Sequence, residues 1–361
     1  MKTTALDLIL VGFGNVGRRF ARLLQERDDA LARTYGLTWR VVGIATRTHG
    51  IAMNPAGLDL SQALSLVDAG GSLATLRGNA ATGRRETLGS GLELIESATH
   101  AADADRAQVV VETTVLDIAR GQPAIDHVRK ALRAGAHVIT ANKGPVAFAY
   151  RELDDFATAL GRSFLFEGAV MDGVPVFNLV RETLPSVAIA GFRGIVNSTT
   201  NHVLTRMEEG QTFAGALAEM QAAGIAEADA SLDIEGWDAA AKVSALMNVL
   251  MKAEVTPRAI DRTGIADVTP AMLQDARRHG KRLRLVATGG RRDGKAFGRV
   301  APEPVPEQDV LAGLTGMQNA LVLQTDLLGE ICITQLGGGL TQTAYALLSD
   351  LVTVCRRLRH A

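Results

Sequence analysis

The chain has 361 residues, 47% of them hydrophobic and only 4% aromatic, and its 38 Lys and Arg residues nearly balance its 39 Asp and Glu residues. That length allows two domains with substantial cores, and the near-neutral charge provides no broad basic surface, so neither nucleic acid nor membrane is expected as a partner. Two cysteines, Cys332 and Cys355, are too few for a disulfide framework or a thiolate metal site. No segment resembles a signal peptide or reaches the roughly 20 apolar residues of a membrane span, so the expected compartment is the cytoplasm.

Strands and helices alternate through the first 150 residues. A buried-strand run at 6–11 is followed by GFGNVG and the helical stretch RRFARLLQER. Further strands are predicted at 39–45, 108–112 and 137–142, with a helix at about 121–134. This alternation predicts an α/β fold with a doubly wound, mostly parallel sheet of the Rossmann type.

The second half of the chain has a different pattern. The predicted strands lie at 163–170, 192–197, 319–325 and 329–335, and the predicted helices follow 178 and span 202–209, 212–223 and 236–252. The proline-rich stretch 301–309 (APEPVPEQD) is expected to be a connection. A glycine turn and an apolar-periodic helix end the chain.

The motif Gly12-Phe13-Gly14-Asn15-Val16-Gly17 lies between the first strand and the first helix. Its first glycine permits a tight turn, the second lets the backbone approach a pyrophosphate, and the third allows close helix–strand packing. The start of the following helix would face the phosphates. The motif predicts dinucleotide binding, and a turn that serves packing alone is the alternative.

The end of the second strand bears on the choice between NADP and NAD. An acid there would hold the 2′-hydroxyl of NAD, but the chain has Ala45-Thr46-Arg47-Thr48. Because an arginine suits a 2′-phosphate, Arg47 favours NADP. An exposed loop arginine without a role in cofactor choice is the alternative, and use of both cofactors stays open.

Two lysines stand out in positions suited to chemistry. Lys143 follows a strand, at the edge where open α/β sheets bind ligands. In the stretch 233–242 (DIEGWDAAAK), Asp238 and Lys242 are four residues apart and project from one helix face. That pair is either an ordinary exposed ion pair or the proton-handling part of an active site.

Six segments together resemble the homoserine dehydrogenase family. They are GFGNVG, VITANK, EGAVMDGVPVF, GIVNSTTNHVL, GIAEADASLDIEGWDAAAK and GGGLTQTAYALLSDL, and they occur in the family's order. The resemblance implies NAD(P)-dependent interconversion of L-homoserine and L-aspartate 4-semialdehyde, in the pathway to threonine and methionine. It also implies a homodimer or a dimer of dimers.

The resemblance assigns roles to individual residues. The catalytic residues fall on Asp238, Lys242 and Lys143, and the substrate-binding residues on Glu227, Asp233 and Thr199. The turn 197–201, which borders the substrate in the family, is also suited to capping a helix. Besides the glycine motif, Arg47 and Lys143, the cofactor contacts are expected at Thr113, Thr114 and Gly339, although the family more often has an alanine within that late glycine loop.

The reaction requires such groups independently of the resemblance. Oxidation of a primary alcohol removes the hydroxyl proton as hydride leaves for the nicotinamide. A lysine within hydrogen-bond reach accepts that proton if burial or a neighbouring cation lowers its pKa towards working pH. If Lys143 and Lys242 converge, each would act in this way on the other, whereas Asp238 would orient Lys242 and oppose the shift.

The loop from Glu167 resembles the family's monovalent-cation loop. The glutamate and the carbonyls of Val170, Asp172 and Val174 would bind Na⁺ or a similar hard cation through oxygen. The chain departs from the family at Asp172, where a small residue or glycine is common. A plain strand–turn–helix junction is the alternative.

We therefore expect an NAD(P)-binding domain from 1–150 and 312–361, and an α+β substrate-binding and dimerisation domain from 151–311. The length corresponds to the short family form without an ACT regulatory domain, so no threonine control through such a domain is expected. Two alternatives remain at this stage. One is another amino-acid dehydrogenase of the same nucleotide fold, and the other is a non-catalytic NADP-binding regulator. A semialdehyde dehydrogenase is disfavoured because neither cysteine is placed as a nucleophile.

Overall fold

A computed structural model describes residues 3–76, 89–101, 103, 105–222 and 229–360. The chain forms two compact units. The first contains the chain up to Pro145, Arg151–Gly173 and the segment from Leu340 onward, and the second contains Val146–Tyr150 and Val174–Gly339. Within the described residues, no helix combines the length and the apolar character needed to cross a membrane.

Twelve strands are described, in chain order. They are β1 (Thr4–Val11), β2 (Leu37–Ala45), β3 (Ile51–Met53), β4 (Ala107–Glu112), β5 (His137–Thr140), β6 (Phe164–Leu165), β7 (Ile189–Ile195), β8 (Asp261–Arg262), β9 (Lys281–Arg292), β10 (Lys295–Pro306), β11 (Asn319–Thr325) and β12 (Glu330–Gln335).

Twelve α-helices are described between and after these strands. They are α1 (Asn15–Tyr35), α2 (Leu60–Asp68), α3 (Gly91–His100), α4 (Ala124–Arg133), α5 (Lys143–Ala159), α6 (Val176–Asn178), α7 (Ser198–Glu208), α8 (Phe213–Ala222), α9 (Ser231–Ile234), α10 (Trp237–Met251), α11 (Pro270–Arg278) and α12 (Leu340–His360). Helix α5 departs from helical geometry at Ala149.

The first unit is built on a six-stranded sheet with the order β3-β2-β1-β4-β5-β6. All its pairings are parallel except that of β2 with β3. Strand order therefore reverses between β1 and β4, which is where a doubly wound sheet binds its ligand. The predicted Rossmann-type sheet is confirmed.

The last helix, α12, completes the core of the first unit. Its Ala344, Leu347 and Leu351 are fully buried in the same apolar cluster as Leu8 and Phe20 of β1 and α1. The apolar spacing that predicts this helix thus reflects packing against the sheet.

The second unit is built on a sheet with the order β12-β11-β7-β9-β10-β8, antiparallel except for the short β8–β10 pairing. Helix α10 packs on it where Gly289 and Gly298 are cross-strand partners. A Cβ atom at Gly298 would lie 2.9 Å from the sulfur of Met247 and 3.0 Å from Val243. These two glycines make room for the helix to approach the strands.

The prediction that 301–309 is a connection is wrong, because Ala301–Pro306 is the second half of strand β10. The long β9–β10 hairpin around it was not predicted. Pro302, Pro304 and Pro306 pair with β9 in register, while β8 pairs only with Arg299 and Val300 on the other side. Alternate spacing places all three prolines on the free edge of the strand, where no backbone donor is needed.

The domain boundaries also differ from those expected. Strands β11 and β12 pair with β7 in the second sheet, so the chain returns to the first unit after Gly339 instead of at 312. The strand expected at 163–170 is only Phe164–Leu165, which pairs with β5 and extends the first unit past residue 150.

Candidate active site

The glycine motif forms the turn between β1 and α1 at the carboxyl end of the sheet. Gly12 has φ +94°, and a Cβ there would lie 2.6 Å from the carbonyl carbon of Thr113. At Gly17 a Cβ would lie 2.7 Å from the Gly12 carbonyl oxygen, whereas at Gly14 nothing lies within 4 Å. Gly12 and Gly17 are therefore fixed by packing, and Gly14 leaves its backbone open to a phosphate, as the fingerprint requires.

Other predicted cofactor residues lie at the same edge of the first sheet. Thr113 and Thr114 follow β4, and the Thr113 hydroxyl donates to the Gly12 carbonyl at 2.8 Å. Arg47 follows β2 and is exposed. Lys143 is the first residue of α5, directly after Asn142, whose side chain caps that helix by accepting from the Gly144 amide at 2.8 Å.

The second predicted group of residues lies at the start of α10 in the second unit. Gly236 adopts φ +80° between α9 and α10, a conformation that favours glycine. Arg262 stacks on Trp237, with 3.9 Å between the guanidinium and the ring centroid. Ala239, Ala240 and Ala241 are buried. Gly236 thus joins the two helices, and the small alanine side chains of α10 pack inward, which leaves Asp238 and Lys242 on the other face.

Asp238 and Lys242 form an ion pair of 2.9 Å, with only 16% and 14% of their side chains exposed. The Lys242 ammonium also donates to the Val196 carbonyl at 2.6 Å. Exposed i,i+4 pairs such as Arg33–Asp29, at 77% and 88%, contribute only about 0.3–0.5 kcal/mol. The Lys242–Asp238 pair is not of that kind, because it is sheltered and tied to a second segment.

Asn197 joins this pair to a second carboxylate. Its amide nitrogen donates to Asp238 at 2.8 Å and to Asp233 at 2.7 Å. Its amide oxygen accepts from the Thr200 backbone at 2.9 Å and so caps helix α7. The predicted capping role of this turn is confirmed, and the link to both acids is a contact that the sequence did not reveal.

Burial and the neighbouring charge of Asp238 raise the pKa of Asp233 above its ordinary value. Hydrogen bonds from Asn197 and Thr199 and the charge of Lys242 act in the opposite direction. Thr199 is itself 5% exposed. Two carboxylates and one ammonium therefore form a compact cluster of net negative charge, hereafter the acid–lysine cluster (Asn197, Asp233, Asp238 and Lys242).

The predicted cation loop begins with a buried acid. Glu167 is 2% exposed, and its amide donates to Asp350 of α12 at 2.9 Å. Asp172 has φ +52°, and its carboxylate accepts from Thr343 at 3.1 Å. Among the described residues, no group of three or more His, Cys, Asp or Glu side chains is arranged to hold a metal ion, so a cation here would need carbonyl oxygens in addition to the Glu167 carboxylate.

The remaining predicted residues are more dispersed. Val170 lies in the first unit, Val174 begins the long segment of the second, and Gly339 ends it. Glu227 lies outside the described residues. Cys332 is exposed on β12 and Cys355 is buried in α12.

Models of known families match most of the chain. One described as the NAD-binding domain of homoserine dehydrogenase matches residues 12–167, and one described as homoserine dehydrogenase matches 175–352. An NAD(+)-dependent homoserine dehydrogenase from Pseudomonas canavaninivorans is 36% identical over 352 residues, covering 97% of this chain and 96% of its own. The chain belongs to the homoserine dehydrogenase family.

Other homoserine dehydrogenases agree in sequence and in structure. The enzyme from Methanocaldococcus jannaschii is 37% identical over 350 residues, covering 97% of this chain and 98% of its own. The structure from Thiobacillus denitrificans superposes with a TM-score of 0.80 at 28% identity, covering 99% of this chain and 75% of that one. A hyperthermophilic archaeal homoserine dehydrogenase in complex with NADPH gives 0.79 at 29% identity, with 98% of each chain covered.

These matches confirm the family predicted from the motifs. Homoserine dehydrogenases are NAD(P)-dependent oxidoreductases that interconvert L-homoserine and L-aspartate 4-semialdehyde in amino-acid biosynthesis. The alternatives of a different amino-acid dehydrogenase and of a non-catalytic binder are thereby set aside.

Proposed function

We propose that the acid–lysine cluster is the substrate site for L-homoserine and that Lys242 handles the proton of the alcohol. The observation that carries this assignment is the sheltered Lys242–Asp238 pair, linked through Asn197 to Asp233. These contacts hold the amino group of Lys242 in one place, from which it can form a hydrogen bond to the hydroxyl of a bound substrate.

In its neutral amine form Lys242 would accept the hydroxyl proton when L-homoserine is oxidised, and the resulting ammonium would return that proton to the carbonyl oxygen in the reverse reaction. Asp238 fixes the direction of the ammonium through its 2.9 Å contact, and Val196 fixes it from a second segment at 2.6 Å. Both side chains keep some exposure, which leaves them within reach of a small molecule. Positioning of this kind is required for efficient proton transfer.

The α-ammonium group of the substrate is the natural partner for the surplus negative charge of the cluster. Asp233, with Thr199 hydrogen-bonded to it, is proposed for this contact, and Glu227 is proposed as a second acid. Binding a cation would favour the ionised form of Asp233 and so oppose the effect of its burial.

For the cofactor we propose the glycine motif as the pyrophosphate site, with Thr113, Thr114, Lys143 and Gly339 as further contacts. The open backbone at Gly14 and the positive φ at Gly12, which favours glycine, fit this role. When bound, NAD(P) supplies the acceptor for the hydride. Exposed Arg47 at the end of β2 supports NADP as the preferred form.

A monovalent cation such as Na⁺ is proposed at Glu167, Val170, Asp172 and Val174. The family uses the backbone carbonyl at the position of Asp172, and aspartate tolerates its left-handed conformation better than most residues. Because the Asp172 side chain is held by Thr343, an aspartate in place of the small residue common in the family is compatible with that role.

Lys143 is proposed as a second catalytic lysine.

We also propose a cytoplasmic homodimer or dimer of dimers that self-associates through the second unit. Strand β12 is the edge of its sheet. Nearby Leu327, Leu328 and Leu336 are 68%, 55% and 75% exposed. Edges with exposed apolar residues are suited to pairing with another copy.

Steady-state assays with L-homoserine at alkaline pH test the proposal, run in parallel with NADP and NAD and with L-serine and L-threonine as alternative substrates. We expect turnover with L-homoserine only, and a lower KM for NADP than for NAD. The Lys242→Met variant serves as the inactive control. Turnover of L-serine at a comparable rate would contradict the substrate assignment.

A further inference from the structure

Glu112, the last residue of β4, is a carboxylate with no exposed surface. Its Oε1 accepts from the backbone amide of Thr114 at 3.1 Å and also from the Thr114 hydroxyl. Its Oε2 accepts from the Thr140 hydroxyl at 3.0 Å. The Nδ1 of His127 lies 3.6 Å from Oε1. Such a group is costly to bury unless its hydrogen bonds are made.

These bonds close a ring between the ends of two neighbouring strands. The Thr140 hydroxyl accepts from the Asn142 amide at 2.9 Å, and the Asn142 side chain donates to the Thr114 carbonyl at 2.9 Å. The same Asn142 side chain caps α5, whose first residue is Lys143. Glu112 therefore connects the turn of Thr113–Thr114 with the turn of Asn142–Lys143.

A second buried acid on the neighbouring strand shows a different arrangement. Asp7 of β1 is paired with Arg40 at 2.7 Å and with Arg106 at 2.5 Å. It aligns with Gln108, whereas Glu112 aligns with Val11, so the two acids lie about 13 Å apart along the strands. Asp7 joins strands away from the ligand edge, and Glu112 joins the loops at that edge.

We propose that Glu112 is a positioning residue that holds both cofactor-facing turns in one geometry. This inference rests on the proposed cofactor role of Thr113, Thr114 and Lys143. Glu112 acts through those residues and through the cap of α5, and it contacts neither substrate nor cofactor itself.

The hydrogen bonds predict how substitutions at this position differ. In Glu112→Gln the amide oxygen still accepts from Thr114, and the amide nitrogen donates to Thr140, whose hydroxyl keeps its bond to the Glu112 carbonyl at 2.9 Å. In Glu112→Ala both turns lose their shared acceptor. Thr140→Val, which is nearly isosteric, breaks the link between Glu112 and Asn142 while the carboxylate remains.

The test compares these three variants with Asp7→Asn, a matched substitution of the other buried acid. The readouts are the Kd of NADPH from its fluorescence, the KM values for NADP and for L-homoserine, and the midpoint of thermal unfolding. We expect Glu112→Ala and Thr140→Val to raise the NADPH Kd and the KM for NADP by about tenfold or more. Glu112→Gln should restore most of that loss, and Asp7→Asn should lower only the unfolding midpoint.

Failure of this inference is distinguishable from failure of the cofactor assignment. If Lys143→Ala and Thr114→Ala weaken NADPH binding but Glu112→Ala and Thr140→Val do not, Glu112 is purely structural and the inference is wrong. If Lys143→Ala and Thr114→Ala leave NADPH binding unchanged, the turns do not contact the cofactor and the proposed function itself needs revision. A Glu112→Gln variant as impaired as Glu112→Ala would also overturn the positioning role described here.

Discussion

The ammonium nitrogen of Lys242 lies 2.9 Å from Oδ2 of Asp238, one turn earlier in helix α10. The three buried alanines between them let helix α10 pack closely against the rest of the second unit, and this pair lies on the opposite face of the helix. The pair is joined to Val196 and Asn197 on a segment some 40 residues away in the chain.

Asn197 should be required for activity independently of its role as a helix cap. Asn197→Asp keeps a good capping residue at the start of α7 but removes the donor shared by Asp233 and Asp238. Asn197→Ala removes both the cap and the donor. We expect kcat/KM for L-homoserine to fall about 100-fold in both variants. The free energy of unfolding should fall by about 1 kcal/mol more in Asn197→Ala. Wild-type kcat/KM in Asn197→Asp would show that the donor is dispensable.

Binding of L-homoserine should weaken as the pH falls through the raised pKa of Asp233. Burial and Asp238 raise that pKa, and the protonated acid cannot pair with the α-ammonium of the substrate. The KM for L-homoserine should therefore rise on the acid side, and substrate binding should release a proton. The pH profile of kcat/KM checks this, with Asp233→Asn expected to be weaker throughout and to lack that acid limb. An unchanged limb in Asp233→Asn would assign it to another group.

Ionisation of the same group should affect stability in the opposite direction to most acids. Since folding raises the pKa of Asp233 above its ordinary value of 3.8, its contribution to the free energy of unfolding is fully present below pH 3.8 and is lost as the pH rises through the folded pKa. Asp233→Asn removes the charged form and is thus expected to be at least as stable as the wild type at neutral pH in thermal unfolding. A large loss of stability in this variant would mean that the ionised carboxylate is favourable where it lies.

Arg47 should distinguish NADP from NAD. Replacing it with serine should remove the proposed charge-assisted contact to the 2′-phosphate and raise the KM for NADP about 10- to 100-fold. The KM for NAD should change little, because NAD lacks that phosphate. Arg33→Ser, at a side chain 77% exposed on α1, is the control. Equal effects on both cofactors would rule out a specific role for Arg47.

His137 should make the stability of the first unit fall at acidic pH. Burial, with Arg162 and Arg357 nearby, lowers the pKa of His137 to about 4, and its Nδ1 accepts from the Ser163 amide at 3.0 Å. The contribution of His137 to the free energy of unfolding should be fully present above the unfolded pKa of about 6.5. It should be lost as the pH falls towards 4, by an amount on the order of 3 kcal/mol. Denaturant unfolding of His137→Asn, which keeps an acceptor, should show a smaller decline. An identical decline in both proteins would assign it elsewhere.

Local patterns in the sequence were sufficient to predict the nucleotide unit and the pair on α10. The glycine motif, the buried strands and the spacing of Asp238 and Lys242 depend on neighbours within a few residues. The β9–β10 hairpin was missed because Pro302, Pro304 and Pro306 indicate a loop unless the strand is known to lie at an edge.

The contacts made by single polar residues were harder to predict. Asn197 was expected to cap a helix, but its bonds to Asp233 and Asp238 span 36 and 41 residues. In the sequence Glu112 is only the last residue of a predicted strand, whereas in the structure its hydrogen bond to Thr140 spans 28 residues. Only the folded chain brings these groups together, so their importance could not be inferred from spacing.

The most direct test of the account is to measure kcat for L-homoserine oxidation and the Kd of NADPH in Lys242→Met, with Lys295→Ala as a control at an exposed lysine of the same unit. We predict that Lys242→Met lowers kcat by about 100- to 10,000-fold and leaves the Kd of NADPH unchanged, while Lys295→Ala changes neither. A kcat for Lys242→Met within a few-fold of the wild type would contradict the central claim that Lys242 handles the proton.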